Sequence, residues 1–364
     1  MTIILDTMHD SALIVNDGVE QPPMINPNAE KLVKKRQQKI LSVDEYVKGI
    51  LSGDLVMLSR AITLVESKRT DHKKIAQQVL EACRPYAGNS IRLGITGVPG
   101  AGKSTFIESF GGMITSLGHK LAVLAIDPGS EISRGSILGD KTRMETLSAD
   151  PRAFIRPTPG TGSLGGVARK TCETIVLCEA AGFDYIIIET IGVGQSETTV
   201  HSMTDFFLLL MISGAGDELQ GIKRGIMEMS DLLVINKADG TNIEKAQQAQ
   251  ALFQGALRLF PSPPSGWTPH AVTCSALEKT GLKEILEKIE NYISMTKANG
   301  YFYQRRCEQA RFRMYETIHE ALQNQFYENE TIAAKLSDIE KEVTEGKTDP
   351  FKAATQLLDS FFNH

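Results

Sequence analysis

The sequence predicts an α/β protein with a mostly parallel central sheet and helical extensions at its N- and C-terminal ends. Three observations carry this expectation. Apolar runs rich in Val, Ile, Leu and Phe alternate with helix-length segments through the middle of the chain, the pattern of parallel strands joined by crossover helices. Most of these runs lack polar alternation, as strands covered on both faces do. After about Met295 the strand-like runs stop and a helical periodicity takes over. At 364 residues the chain is long for a single core, and roughly 150 residues per domain suggests about two to three units.

Taken in order, residues 1–30 carry Asp, Asn, Pro and Gly without sustained periodicity and are expected to form a mobile lead-in. Residues 31–88 are expected to be a helical region. Its basic cluster at 31–36 reads as a solvated helix face. From Val43 onward Ile75, Val79 and Cys83 fall at i, i+4 and i+8, with Ala76 and Leu80 on a neighbouring stripe, and Pro85 and Gly88 punctuate the end. Residues 89–295 hold the candidate strands 92–96, 120–126, 154–157, 185–190, 206–212, 232–236 and 270–274. Helix-length segments at 102–117, 165–181, 243–260 and 281–292 lie between or after them. Residues 296–364 form a C-terminal helical region in which Phe312, Tyr315, Ile318, His319, Leu322 and Phe326 trace an amphipathic stripe. Ten of the chain's 23 Phe, Tyr and Trp residues fall there, so the tail is expected to pack its aromatics on something larger than itself, either the sheet domain or another subunit.

Composition excludes several classes. A chain 41% hydrophobic and 23% charged is ordinary globular material, neither disordered nor fibrous. Apolar runs such as 186–188 and 206–212 fall well short of the ~20 residues of a membrane helix, so no membrane partner is expected. A formal charge of −5 argues against nucleic acid as the main partner. The N-terminus, with only Ile3-Ile4-Leu5 before Asp6, lacks the basic start and about 7–15 apolar residues of a signal peptide. Five scattered cysteines make neither a disulfide framework nor a zinc cage, and read as reduced thiols of a cytoplasmic protein.

The strongest chemical signal is Gly97-Val98-Pro99-Gly100-Ala101-Gly102-Lys103-Ser104, which matches G-x-x-x-x-G-K-[ST] between an expected strand and an expected helix. Such a loop turns its backbone N–H groups inward around phosphate oxygens, where a Cβ would obstruct. Lys103 is expected to reach the β- and γ-phosphates and Ser104 to ligate Mg²⁺, with Gly97, Gly100, Ala101, Gly102 and Thr105 completing the cradle. Mg²⁺ prefers oxygen ligands and keeps waters, so one or two carboxylates are expected beside it. Asp127 and Glu189 sit at strand ends, and Asp140 lies in the loop segment Gly139-Asp140-Lys141-Thr142-Arg143. Each could instead cap a helix or pair with a cation, but the carboxyl ends of strands face the ligand in such sheets, which places Asp127 and Glu189 better than Asp140.

Asn236-Lys237-Ala238-Asp239 ends another apolar run and fits the N-K-x-D reader of guanine. A carboxylate at Asp239 can accept from both N1–H and the exocyclic N2–H of guanine. Adenine offers neither donor in that arrangement, and the unpaired carboxylate that results can discriminate by ~10⁴-fold or more. Asn236 would steady the loop, and the Lys237 stem can lie over the ring. Cys274-Ser275-Ala276-Leu277 follows a further strand and resembles the second base-contact loop, so Ser275, Ala276 and Leu277 join the candidate binding set.

Together with Asp127-Pro128, Asp140-Lys141-Thr142-Arg143-Met144, the run from Glu189 to Glu197 (ETIGVGQSE) and the run from Gly214 to Lys223 (GAGDELQGIK), these motifs resemble the MeaB/ArgK group, GTPases associated with methylmalonyl-CoA mutase, with the human cobalamin A-type protein as a relative. The resemblance runs from about Val43 to the C-terminal helices. It implies a P-loop GTPase that binds GTP or GDP with Mg²⁺ and acts as a chaperone of the adenosylcobalamin-dependent mutase, gating cofactor loading and protecting or reactivating it. It also implies a homodimer. By motif position Ser104, Asp127, Asp140 and Glu189 would form the metal site, and Lys103, Glu189, Gln195 and Lys223 the catalytic set. The first switch would span about 130–144, the second 192–197 and the third 214–223. In that third segment Lys223 would change partners when the mutase docks, although it could simply pair with Asp217. One departure is visible: the family often has Ser-Ser after Asp-Pro, and this chain has Gly129-Ser130. The alternative of a metallochaperone GTPase that delivers a metal to another enzyme would call for a Cys-rich or His-rich cargo motif. Here the seven histidines are dispersed and no Cys-x-x-Cys or Cys-x-Cys occurs.

Overall fold

A computed structural model describes residues 41–67, 69–126, 144–158, 164–190, 196–214 and 224–362. The expected lead-in lies outside them. The chain divides into Met1–Ser42 and Val43–His364, and every element below belongs to the second unit.

Seven strands, β1 (Ile91–Gly97), β2 (Leu121–Ile126), β3 (Ala153–Thr158), β4 (Tyr185–Thr190), β5 (Phe206–Ile212), β6 (Leu232–Asn236) and β7 (His270–Thr273), form one sheet in the order β3-β2-β4-β1-β5-β6-β7. Every pairing is parallel, as the unbroken apolar runs predict. The two-residue period of a strand divides the core between the faces. On β5, Phe206, Leu208 and Leu210 join one cluster while Leu209 and Met211 join the other. On β6, Leu232 and Val234 separate from Leu233 and Ile235 in the same way.

The single helical pattern expected from Val43 to about Tyr86 resolves into α1 (Val43–Leu51), α2 (Leu55–Glu66) and α3 (Thr70–Cys83). Asp54 sets the first break: its carboxylate accepts from the Val56 and Met57 amides at 2.8 and 3.2 Å, an N-cap that starts α2 afresh. Downstream, α4 (Lys103–Ser116) buries Phe106, Ile107, Phe110 and Ile114, which lie three and four residues apart on one face. Then follow α5 (Glu145–Ala149), α6 (Leu164–Ala180), α7 (Ser196–His201), α8 (Arg224–Met229) and α9 (Ile243–Leu257). Next, α10 (Leu282–Ala298) runs past the expected end at 292 because Ile293 and Thr296 extend its buried stripe, and Gly300, with φ +83°, stands between it and the next helix. The tail is α11 (Tyr301–Tyr327), α12 (Glu330–Thr344) and α13 (Pro350–Phe362).

Buried charge fastens α11 to the amino edge of the sheet. Arg306 donates to both oxygens of Asp205 at 2.8 and 2.7 Å and to the Ser90 carbonyl at 2.7 Å. Asp205 also accepts the Arg92 amide at 2.9 Å, and the Arg92 guanidinium forks onto Glu179 at 2.9 and 3.1 Å. Gln309 adds a bond to the Thr204 carbonyl at 2.8 Å. The Asp205 side chain is 1% exposed, and a buried charge that loses its partner costs about 3–5 kcal/mol. Arg306→Ala should therefore lower stability by about that amount in urea unfolding. A loss under about 1 kcal/mol would mean that Asp205 finds another partner.

Candidate functional site

The expected phosphate loop leaves the carboxyl end of β1, next to β5. Gly97 pairs with Leu210, and a Cβ on Gly97 would meet the Leu210 carbonyl oxygen at 2.3 Å. Only glycine lets the chain leave the sheet so close to its neighbour. Gly102 takes φ +84° as the N-cap of α4, a conformation costly to a residue with a Cβ. The turn closes with the Ala101 amide donating to the Val98 carbonyl at 3.1 Å. The loop therefore ends on the first turn of α4, whose amides lack intrahelical partners and give that end a positive potential.

Lys103 reaches back across this loop, its Nζ donating to the Gly97 carbonyl at 2.9 Å. Burial pushes the ammonium below its ordinary pKa, and the negative charges of Glu189 and Glu197 oppose that shift. Both carboxylates are buried. Glu189 lies on β4 opposite Ile95 of β1 and Ala125 of β2, near the carboxyl end where it was expected. Beside it Thr190 donates to Thr96 at 2.9 Å, which joins the two strand ends. Glu197 was within the expected second switch but was not singled out as a site residue. Its position eight residues after Glu189 carries no periodic signal that would bring it to Lys103.

Asn236, the last residue of β6, is almost fully buried. Its Nδ2 donates to the Ala101 carbonyl at 2.9 Å, and its Oδ1 accepts the Ala276 amide at 3.0 Å and the Cys274 thiol at 3.5 Å. One side chain thus ties the phosphate loop to the loop after β7. Burial, reinforced by the negative charge of Asp239, pushes the Cys274 thiol up to about 12, so it stays protonated and able to donate. The Ala238 amide donates to the Cys274 carbonyl at 2.9 Å. Ser275, fully buried, donates its hydroxyl to Asp239 and accepts the Glu278 amide at 3.0 Å. Ala276 is buried and its carbonyl accepts from Ser109 of α4 at 2.6 Å.

The structure therefore gathers Gly97, Gly100, Ala101, Gly102, Lys103, Ser104 and Glu189 on one side, and Asp239, Ser275 and Ala276 on the other, with Asn236 between them. Lys237 and Thr105 are exposed on the flanks, and Leu277 is 77% exposed. Asp127, Asp140, Gln195 and Lys223 lie outside the described residues, as do most of the expected switch segments. The oxygen donors that are described, the Ser104 hydroxyl and the Glu189 carboxylate, are of the hard type that Mg²⁺ accepts.

A parallel sheet with a glycine-lined loop on a helix N-terminus, a half-buried lysine and an N-K-x-D turn defines a P-loop nucleotide-binding protein of the GTPase type. Residues 58–331 match the family described as methylmalonyl Co-A mutase-associated GTPase MeaB. A putative GTPase of Caulobacter vibrioides is 48% identical over 88% of this chain and 98% of its own length. The mouse protein named methylmalonic aciduria type A homolog, mitochondrial, is 42% identical over 93% of this chain and 83% of its own. A crystal structure of a LAO/AO transport system kinase superposes with a TM-score of 0.69 at 37% identity, covering 88% of this chain and 98% of that one. The chain belongs to the MeaB family and is a GTPase.

Asn236 provides the test of this architecture. Its removal would leave a buried carbonyl at Ala101 and a buried amide at Ala276 without their partner, each at about 1–3 kcal/mol. Asn236→Ala should lower stability by about 2–5 kcal/mol and weaken nucleotide binding with it. A variant with native stability and native GDP affinity would show that the two loops hold their places independently.

Proposed function

We propose that this protein is a GTP-hydrolysing chaperone of an adenosylcobalamin-dependent methylmalonyl-CoA mutase, gating cofactor loading and protecting or reactivating the mutase. The observation that carries the nucleotide half of this reading is the Asn236 bridge, which holds a phosphate loop and a base-reading loop as one site. The mutase half rests on the family match over residues 58–331 and on the mouse relative's name.

In this reading GTP or GDP lays its phosphates on the loop from Gly97 to Thr105. Lys103 leaves the Gly97 carbonyl for the β- and γ-phosphates, where its charge stabilises what develops on the transferring phosphoryl group. Ser104 and Glu189, with Asp127 and Asp140, would hold Mg²⁺, which neutralises phosphate charge when bound. Gln195 and Lys223 complete the catalytic set. Asp239, oriented by Ser275, accepts from the guanine edge, while the Lys237 stem covers the ring and the loop at Ser275, Ala276 and Leu277 closes the far side.

The protein acts as a homodimer in this reading. On α11, Phe312, Tyr315, Ile318 and Leu322 are 45–55% exposed in the single chain, an apolar stripe that a second subunit would cover. Among the described residues no helix is long and apolar enough to cross a membrane. All five cysteines are free, which supports a cytoplasmic setting. Delivery of a metal to another enzyme would call for a Cys-rich or His-rich cargo motif, and the sequence has no Cys-x-x-Cys or Cys-x-Cys.

Two measurements test the two halves. By calorimetry the native protein should bind GDP far more tightly than ADP, and Asp239→Ala should cut GDP affinity by on the order of a hundredfold, the worth of about 3 kcal/mol of charged hydrogen bonding, with ADP unaffected. Equal native affinities for GDP and ADP would sink the guanine assignment. For the second half, purified protein and mutase should co-elute in size-exclusion chromatography in one nucleotide state and separate in the other, and the mutase should accelerate GTP hydrolysis. Separate elution in every nucleotide state, with hydrolysis unchanged by the mutase, would remove the chaperone reading.

A further inference from the structure

Asn242 closes the 3₁₀ turn Gly240–Asn242 and stands at the N-cap of α9. An Asn at that place ordinarily turns its side-chain oxygen onto the helix's own first amides. Here it makes no such cap. Its Oδ1 instead accepts the hydroxyl of Ser213, the residue after β5, at 2.6 Å. Its Nδ2 donates to the Lys237 carbonyl at 2.6 Å, and its backbone amide donates to the Asp239 carbonyl at 2.9 Å. Chemistry fixes this orientation of the amide: the Lys237 carbonyl can only accept, so the nitrogen must face it, and the oxygen is left for the Ser213 donor.

The bond to Lys237 meets a strained residue. Lys237 has φ +61°, one of two non-glycine residues with positive φ among those described, the other being Lys279. A side chain disfavours that conformation, which persists only where the surroundings over-determine it. Relaxation at Lys237 would rotate the chain just before Asp239, whose carboxylate must meet the guanine edge. The Asn242 side chain holds the Lys237 carbonyl, and its backbone amide holds the Asp239 carbonyl.

We propose that Asn242 is a positioning residue for base recognition, which holds Lys237 to Asp239 in the guanine-reading conformation, with Ser213 orienting its amide. The inference rests on the guanine reading of Asp239 and adds the residues that make its selectivity possible. Ser213 lies 29 positions away from Asn242 in sequence, so no motif links the two.

Asn242→Asp is the informative variant. Aspartate keeps the size, keeps an acceptor for Ser213 and is itself a favoured N-cap residue, so α9 retains its start. It replaces the donor to the Lys237 carbonyl with an oxygen that repels it. GDP affinity should fall about tenfold, while ADP affinity stays within about twofold. The KM for GTP should rise about tenfold with kcat within about twofold. Ser213→Ala should show the same selective loss at about threefold. Native GDP affinity in Asn242→Asp would overturn the proposal. So would equal losses for GDP and ADP, or a fall in kcat at unchanged KM, because either outcome is that of a general structural defect. Failure of the guanine reading is distinguishable: it shows as no GDP preference in the native protein or none lost in Asp239→Ala, and it takes this proposal with it.

Discussion

The geometry of the nucleotide site depends on one buried amide. Asn236 ends β6 and spends its donor on the loop after β1 and its acceptor on the loop after β7. The bond from Ser109 to the Ala276 carbonyl and that from the Ala238 amide to the Cys274 carbonyl support the same arrangement. Neither partner of Asn236 can be replaced by water, because both sit in buried surroundings where an unpaired group costs more than the bond itself contributes. The consequence is that the loop after β1 and the loop after β7 are tied through one side chain. Ser275 extends the same logic, bonding Asp239 and the Glu278 amide in turn. Apolar packing of Ala238, Cys274 and Ala276 buries these turns, and the polar contacts add the direction that apolar packing lacks.

The opposite edge of the sheet is organised by charge. Arg306, Asp205, Arg92 and Glu179 form a continuous buried chain that holds the start of α11 against β1 and the residues that lead into β5. Phe302 packs under Arg306, with the guanidinium 4.3 Å from the ring centroid, so the first turns of α11 contribute both apolar area and a paired cation. Further along the same helix the aromatic stripe faces outward. α11 is thus anchored at one end and presents its apolar side at the other.

Most of this fold was legible in the sequence, because each strand is a short apolar run and each strand end carries local punctuation. The phosphate loop and N-K-x-D turn were legible for a different reason: their chemistry is contained within eight and four consecutive residues. What escaped were contacts that only the topology creates. Glu197 reaches the neighbourhood of Lys103 because α7 follows β4, the strand beside β1. Arg306 finds Asp205 from 101 residues away, and neither residue belongs to a pattern. The break at Asp54 was hidden because apolar periodicity continued through it, although an Asp before an apolar run is a local start signal. The stripe on α11 was legible as a helical periodicity and an excess of aromatics, but neither signal distinguishes packing on the sheet from packing on another subunit.

The charges around Lys103 carry the proposed function one step further. In the chain alone, a partly desolvated ammonium is balanced by two buried carboxylates, Glu189 and Glu197, while its own hydrogen bond goes to a neutral carbonyl. The cation offsets part of the carboxylates' charge, and pairing of this kind makes buried charge tolerable in a low-dielectric pocket. A nucleotide polyphosphate brings several negative charges to the same place and takes Lys103 as its partner. One lysine and the positive end of α4 cannot balance both the phosphates and the carboxylates. In the proposed reading a divalent cation held by Ser104 and Glu189 would offset that excess, so a metal requirement for GTP binding would follow from the carboxylates that steady the lysine before the nucleotide arrives.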